Sequence, residues 1–470
     1  MSFNSLEFLI FFPIVFCLYW FVFKNKLREQ NLLLLFSSYI FYGWWDWRFL
    51  SLIFLSTIID YFVGLKIYDS NNKKNKKLYL WISIVFNLSL LGFFKYFNFF
   101  IESWVSSLSL LGYEYQSNWT INIILPLGIS FYTFQTMSYS LDIYYKKIKP
   151  TKDFISFASF VSFFPQLVAG PIERATNLLP QILNNRLFNY KQCVQGVRLI
   201  NWGIFKKVVI ADSLSPEVDS IFQNYSSLDG GVLLLGIIYF SFQIYCDFSG
   251  YSDIAIGTAK LLGIELMSNF EFPYFSKNIT EFWRKWHISL SKWINEYLFN
   301  PMAFSLRKYR SKGLVISILI TFSVVGLWHG SNWTFVIFGF LHGIAIVFDL
   351  ITKSFMKKHK NIFEMSLLIF LQQIITFFYV CFTFLIFRSE NYTEAFNYLY
   401  SIIQKPFGQI EKINGLIYVT IILVMDWLKM KDQKKSTGII DNTYIQILIF
   451  WIIVFHSFER NQLNFIYFQF

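Results

Sequence analysis

The sequence predicts an all-α protein that crosses a membrane many times, and three observations predict it. Of 470 residues 55% are hydrophobic and 21% aromatic while only 15% are charged, and mean hydropathy is +0.44, outside the balance of a soluble globular chain. The apolar residues collect in runs as long as membrane helices rather than in short alternating strands. Basic residues fall into short connections between those runs, the arrangement that the positive-inside bias produces. In hydrocarbon each segment must satisfy its own backbone polar groups, so the runs read as helices.

Taken in order, the candidate spans lie near 5–24, 31–47, 49–66, 78–100, 121–145, 195–212, 231–248, 313–329, 331–351, 366–387, 415–430 and 441–458. That is about twelve crossings. The first is retained rather than cleaved, because residues 1–7 carry no basic n-region and no small-residue cleavage site follows. Basic clusters occur at 24–28, 66–77, 146–152, 353–360 and 429–435, whereas 104–120 and 213–230 hold no Lys or Arg. Their alternation places the clusters on the cytoplasmic face of a cell (inner) membrane and the N-terminus outside. Span 195–212 is irregular, since Lys206 and Lys207 fall in its middle; a tilted or interfacial helix accommodates them. No repeat, low-complexity tract or linker divides the chain. Residues 1–470 therefore read as a single membrane domain, with a motif-bearing core at 121–351 and peripheral spans at 1–103 and 366–460.

The net charge of +12 raises nucleic acid as a partner, but the cations are dispersed over connections and form no stripe with base-stacking aromatics. The lipid bilayer is the expected environment and no nucleic acid is expected. Cys17, Cys193, Cys246 and Cys381 are isolated, with no Cys-x-x-Cys pair and no histidine at ligand spacing. They read as buried apolar fillers, and no metal site is expected.

Four departures from plain spans carry the chemistry. His329 closes the uncharged apolar run 313–327, and an ionisable group at that depth reads as a working group facing a cavity. Gly330-Ser331-Asn332 follows it and suggests a tight turn between two antiparallel spans, which puts His329 at a span end. His342, thirteen residues on, would lie roughly 20 Å along one helix axis. The two histidines therefore do not form a metal clip, and His342 suits helix packing beside Gly339 and Gly343.

Residues 281–293 suggest one amphipathic helix at the inner interface. Trp283, Trp286, Leu290 and Trp293 fall on one side, Lys285 and Lys292 on the other, and Arg284 at the boundary. The indoles would sit at headgroup depth. His287 projects beside them, either as an active group or as the hydrogen-bonded histidine of an anchor helix. The stretch 163–171, apolar but interrupted by Pro165, Gly170 and Pro171, suggests a re-entrant segment, with a kink or a surface loop as alternatives. Asp247, near the end of an apolar span, needs a partner: a cavity group or neighbouring backbone. Asp253 suits an N-cap for a helix starting at Ile254. His359 reads as solvated, and His456 has no supporting context.

The blocks Phe282-Trp283-Arg284-Lys285-Trp286-His287-Ile288-Ser289-Leu290-Ser291, Leu327-Trp328-His329-Gly330, Asn332-Trp333-Thr334 and Leu341-His342-Gly343 resemble the membrane-bound O-acyltransferase family. Within it they are most similar to the membrane subunits of alginate O-acetyltransferases. The resemblance extends to Asn4-Ser5-Leu6-Glu7-Phe8-Leu9, Leu167-Val168-Ala169-Gly170-Pro171-Ile172, Asp247-Phe248-Ser249-Gly250-Tyr251-Ser252-Asp253 and Phe465-Ile466-Tyr467-Phe468-Gln469-Phe470, and so covers nearly the whole chain.

For the roughly twelve spans and the re-entrant and interfacial helices read above, the resemblance implies a ring around a transmembrane tunnel. It implies transfer of an acetyl group from a cytosolic thioester to hydroxyls of an extracytoplasmic polysaccharide, alginate or another exopolysaccharide. His329 matches the family's invariant histidine and His287 its second polar position. No bound cofactor is expected; acetyl-CoA or an acyl carrier would be the donor substrate. An exported acetyltransferase- or acetylesterase-like protein would be a partner.

The residues fit that chemistry. A hydroxyl is a weak nucleophile, and a neutral imidazole positioned beside it takes its proton. His329 would act as general base and His287 would orient the donor. Asp247, Asn332, Trp328 and Trp286 are candidate tunnel or supporting residues. Arg284, Lys285 and Lys292, with Arg307, Lys308 and Arg310, are candidate donor-phosphate contacts, against a plain positive-inside bias. The alternatives are a D-alanyl transferase of teichoic-acid type, a transporter or flippase, which would show repeat symmetry, and a scaffold for the exported enzyme.

Overall fold

The computed structural model describes residues 1–113, 120–358, 365–408, 412–432, 442–459 and 465–466. His359, the 429–435 cluster beyond Asp432 and the closing residues 467–470 lie outside them. No strand occurs among the described residues. In chain order the helices are α1 (Leu6–Cys17), α2 (Leu27–Asp46), α3 (Leu50–Asp69), α4 (Lys73–Leu91), α5 (Phe97–Leu110), α6 (Ile129–Tyr144), α7 (Phe154–Ser162), α8 (Phe164–Leu167), α9 (Ala175–Leu183) and α10 (Tyr190–Ile204). There follow α11 (Asp212–Gln223), α12 (Gly230–Leu261), α13 (Ile279–Lys285), α14 (Ile288–Ile294), α15 (Asn300–Ser305), α16 (Arg310–His329), α17 (Trp333–Lys358), α18 (Ser366–Arg388), α19 (Tyr392–Gln404), α20 (Gly415–Asp432) and α21 (Thr443–Glu459).

Among the described residues six helical stretches are long and apolar enough to cross a membrane: Leu27–Asp69, Lys73–Leu110, Gly230–Leu261, Arg307–His329, Trp333–Lys353 and Ser366–Arg388. The first two are helix pairs, α2 with α3 and α4 with α5. Shorter apolar helices, Leu6–Val22 and Thr443–Ser457, add to them. Leu314, Ile320, Phe340, Ile344, Phe348, Phe370 and Ile375 are exposed on α16, α17 and α18, and on spanning helices such side chains meet lipid. The protein is an all-α polytopic membrane protein.

The chain divides into two units. The first comprises Met1–Gly196 and Ala255–Met267. Helix α6 is buried on nearly every side, and Asp60 of α3 is fully buried with it. Its carboxylate accepts hydrogen bonds from the Ser83 and Ser140 hydroxyls and from Asn87 Nδ2, the compensation that burial of such a group requires.

The span expected at 121–145 is helical only over Ile129–Tyr144. Pro126 lies just ahead, and Gly128 has φ +74°, with its Cβ position 2.6 Å from the Leu167 carbonyl. Only glycine fits there, and the backbone leaves helical geometry before it. The expected break at 163–171 is present. Helix α7 stops at Ser162, Phe163 takes φ −50°, ψ 103°, and one turn of α8 follows. Phe163, Phe164, Leu167, Val168 and Ala169 are buried, so this irregular backbone is enclosed by protein. Of the four cysteines expected to be buried, Cys193, Cys246 and Cys381 are, but Cys17, at the end of the apolar helix α1, is exposed.

The second unit comprises Val197–Ile254 and Ser268–Phe470. From Phe205 to Ala211 the chain winds as a wider π-helix joining α10 to α11, and there Lys206 and Lys207 are buried. Lys207 Nζ lies 2.9 Å from Asp212 and 2.7 Å from Asp247; Lys206 Nζ lies 2.7 Å from Asp253 and 2.8 Å from Ser249 Oγ. The lysines are thus neutralised inside the protein instead of reaching an interface. Asp253 is no N-cap, because α12 runs through it from Gly230 to Leu261; its carboxylate serves Lys206.

Candidate active site

His329 is the last residue of α16, and the expected turn follows it: Gly330 is extended and α17 begins at Trp333. Asn332 fixes that start. Its Oδ1 accepts from Thr334 N at 3.1 Å, and its Nδ2 donates to the Glu390 carbonyl at 2.7 Å. Helices α16 and α17 pack backbone to backbone. A Cβ at Gly326 would lie 2.1 Å from Phe335 O, and one at Gly339 would lie 2.0 Å from Phe322 O. This approach sets where His329 sits.

His287 reaches the same place from another element. The single helix expected over 281–293 is broken into α13 and α14: Trp286 is extended and His287 is left-handed, with φ 42°, ψ 54°. Asn269 holds the break open. Its carbonyl accepts from Ile288 N at 2.9 Å, and its Oδ1 accepts from Ser289 N at 3.3 Å and Ser289 Oγ at 2.6 Å. These bonds satisfy first-turn donors of α14 that no side-chain cap serves. Trp283, Trp286 and Trp293 are 5%, 2% and 6% exposed, so they are core residues and not headgroup anchors. Trp286 stacks on Phe282 at 5.4 Å and meets Phe384 at 5.3 Å.

The His287 and His329 rings lie 6.4 Å apart, centroid to centroid. Trp328 closes one side, 5.7 Å from His287 and 5.1 Å from His329. Phe248 lies 4.7 Å from His287, and Phe387 and Phe338 lie 5.6 and 6.1 Å from His329. His287 is 0% and His329 4% exposed. Burial, and then the neighbouring His329, hold His287 well below the usual imidazole range, so it is neutral near pH 7. Two imidazoles in an aromatic enclosure have the chemistry to accept a hydroxyl proton and to position a second reactant.

His342 packs instead of joining them. It is fully buried between Phe338 at 4.6 Å and Trp283 at 5.2 Å. Thr383 Oγ1 hydrogen-bonds with His342 Nε2 at 3.0 Å and lies 2.8 Å from Val380 O. This bond ties α17 to α18, so His342 serves helix packing, as its neighbouring glycines suggested.

Among the other candidates, Asp247 is engaged by Lys207 and by Ile466 N, which donates at 2.8 Å. Lys285 pairs with Glu281 at 2.7 Å. Arg284 and Lys292 are exposed and line a cavity of about 600 Å3. The Arg307 guanidinium lies 3.8 Å over the Phe304 ring and the Lys308 ammonium 4.8 Å over the Tyr309 ring. Asn269 was missed in the sequence, where it appears only as a polar residue in a turn.

Comparison with known proteins places these blocks. Residues 78–390 match the model of the membrane-bound O-acyltransferase family. A probable alginate O-acetylase of Azotobacter vinelandii is 39% identical over 355 residues, 74% of this chain and 68% of that protein. A peptidoglycan O-acetyltransferase of Helicobacter pylori is 36% identical over 408 residues, 80% and 74% of the two chains. A teichoic acid D-alanyltransferase of Streptococcus thermophilus is 29% identical over 279 residues, 56% and 66% of the two.

Proposed function

This chain belongs to the membrane-bound O-acyltransferase family, and on that premise we propose that it acetylates an extracytoplasmic polysaccharide with an acetyl group drawn from a cytosolic thioester. That it is a multi-pass membrane O-acyltransferase follows from the family and the helices. The finer steps rest on one observation: two buried imidazoles from different elements meet 6.4 Å apart inside aromatic walls.

In the proposed reaction His329 takes the proton of the acceptor hydroxyl as its oxygen attacks the thioester carbonyl. The carbon–sulfur bond then breaks, and the imidazolium returns its proton to the departing thiolate, so no net proton is consumed. Neutral His287 orients the donor carbonyl. Trp328 and Phe248 exclude water that would otherwise hydrolyse the thioester. Acetyl-CoA is the donor, alginate or a related exopolysaccharide the acceptor, and an exported acetyltransferase-like protein relays or completes the transfer. The relatives whose names specify O-acetylation of alginate and of peptidoglycan support acetyl as the group transferred. The membrane is the inner one, with the N-terminus outside, as the distribution of cations suggests.

The test uses proteoliposomes containing the full chain. Acetyl-labelled acetyl-CoA is supplied on the face carrying the basic connections, and polysaccharide with the exported partner on the other. Label on the polysaccharide is the expected result. Transfer only from a D-alanyl carrier protein would replace acetylation with alanylation, and label appearing on neither would overturn the proposal.

A further inference from the structure

The cavity of about 600 Å3 in the second unit is bounded by α13, α14, α16 and α17, and its volume is typical of a ligand site. Neither His287 nor His329 is among its lining residues, so it is not the space in which the two imidazoles meet. Three features of its wall define what would occupy it. Of its lining residues Leu314 and Leu350 are 40% and 39% exposed; both belong to spanning stretches, so their exposed faces meet hydrocarbon. The lining also holds two exposed cations, Arg284 and Lys292, and the basic residues Arg307, Lys308, Arg310 and Lys312 precede Leu314 along the chain. Deeper in the wall, Trp283 Nε1 and Thr321 Oγ1 hydrogen-bond to no other described residue, although these side chains are 5% and 2% exposed. Buried polar atoms of that kind are ordinarily satisfied.

We propose that this cavity binds an anionic glycerophospholipid drawn sideways from the bilayer. Its acyl chain fills the apolar interior, and an ester carbonyl accepts from the Trp283 indole. Its phosphate lies between Arg284 and Lys292. Basic pockets between membrane helices recognise lipid headgroups in this way. A water-soluble anionic thioester would meet the same charges, but its acyl group has to reach an imidazole, and neither His287 nor His329 is on the wall. The site also abuts both halves of the broken helix that carries His287, since Trp283 and Ile288 each line it. Occupancy therefore braces α13 and α14 on either side of His287.

The test is binding, and it stands apart from acetyl transfer. The full chain is reconstituted into vesicles of phosphatidylcholine doped with phosphatidylglycerol, extracted gently, and its retained lipid measured by native mass spectrometry. Phosphatidylglycerol should be retained preferentially. Arg284→Gln with Lys292→Gln, at exposed positions that leave the core intact, should weaken retention about fivefold per cation, the factor given by ~1 kcal/mol for each basic group near a membrane surface. Val325→Trp, which fills the cavity, should abolish it, with insertion verified by retained thermal unfolding. Equal retention of the two lipids, or no effect of the double substitution, would overturn the proposal. Displacement of phosphatidylglycerol by acetyl-CoA would also overturn it, by giving the cavity to the donor.

Discussion

Replacing Gly339 by alanine perturbs the helical hairpin that places His329 without touching the imidazole. The added Cβ would sit 2.0 Å from Phe322 O, 2.9 Å from Gly326 N and 3.0 Å from Gly326 Cα. All three are backbone atoms and cannot rotate aside. Restoring contacts of ~3.5 Å requires α16 and α17 to separate by roughly 1 to 1.5 Å. Overpacking of this kind costs ~1–3 kcal/mol, and a shift of ~1 Å at a reacting group costs on the order of 100-fold in rate. Gly339→Ala should therefore lower both the thermal stability of the purified protein and the rate of label transfer from acetyl-CoA. The internal control is Gly343→Ala on the same helix, whose nearest neighbours are Leu319 Cδ2 and Phe322 Cβ at 3.3 Å and Leu319 Cα at 3.4 Å; relief there takes only a few tenths of an ångström, and both measurements should stay much closer to wild type. Wild-type stability and rate in Gly339→Ala would refute the claim that backbone contact between α16 and α17 sets the position of His329.

Lys207→Met should destabilise the protein by ~3–5 kcal/mol, because it strands Asp247 and Asp212 in the interior; chemical denaturation in mixed micelles measures this, and Lys207→Met with Asp247→Leu should recover part of the loss. His287→Asn should keep the left-handed backbone, which Asn tolerates, and lose transfer activity, whereas His287→Ile should cost ~1–2 kcal/mol more in stability. The folded pKa of His287 is depressed, so its neutral form contributes stability fully above the unfolded value of about 6.5, and this is lost as pH falls below it. Melting temperatures of wild type should consequently fall more steeply from pH 7 to pH 5 than those of His287→Gln.

What was legible in the sequence is what local rules decide. The span–turn–span around Gly330-Ser331-Asn332 and the packing role of His342 follow from polar and small residues interrupting an apolar pattern, and both appear in the structure. The break at His287 was not legible, since the 3.6-residue periodicity of Trp283, Trp286, Leu290 and Trp293 continues across it. The interruption comes from Asn269, far back in the chain. Lys206 and Lys207 looked like interfacial cations for the same reason: the carboxylates that neutralise two of their contacts, Asp247 and Asp253, lie about forty residues away. In each case a distant partner overrides a local preference, and one sequence does not show who that partner is.

The central claim is that His329 removes the acceptor proton, and His329→Ala tests it most directly. Label transfer from acetyl-CoA to polysaccharide, per molecule of correctly inserted protein, should fall by about 10²–10⁴, the usual contribution of a general base, while donor binding is retained. Acetylation at the wild-type rate in that variant would contradict the claim and leave the chain as the anchor for an exported enzyme.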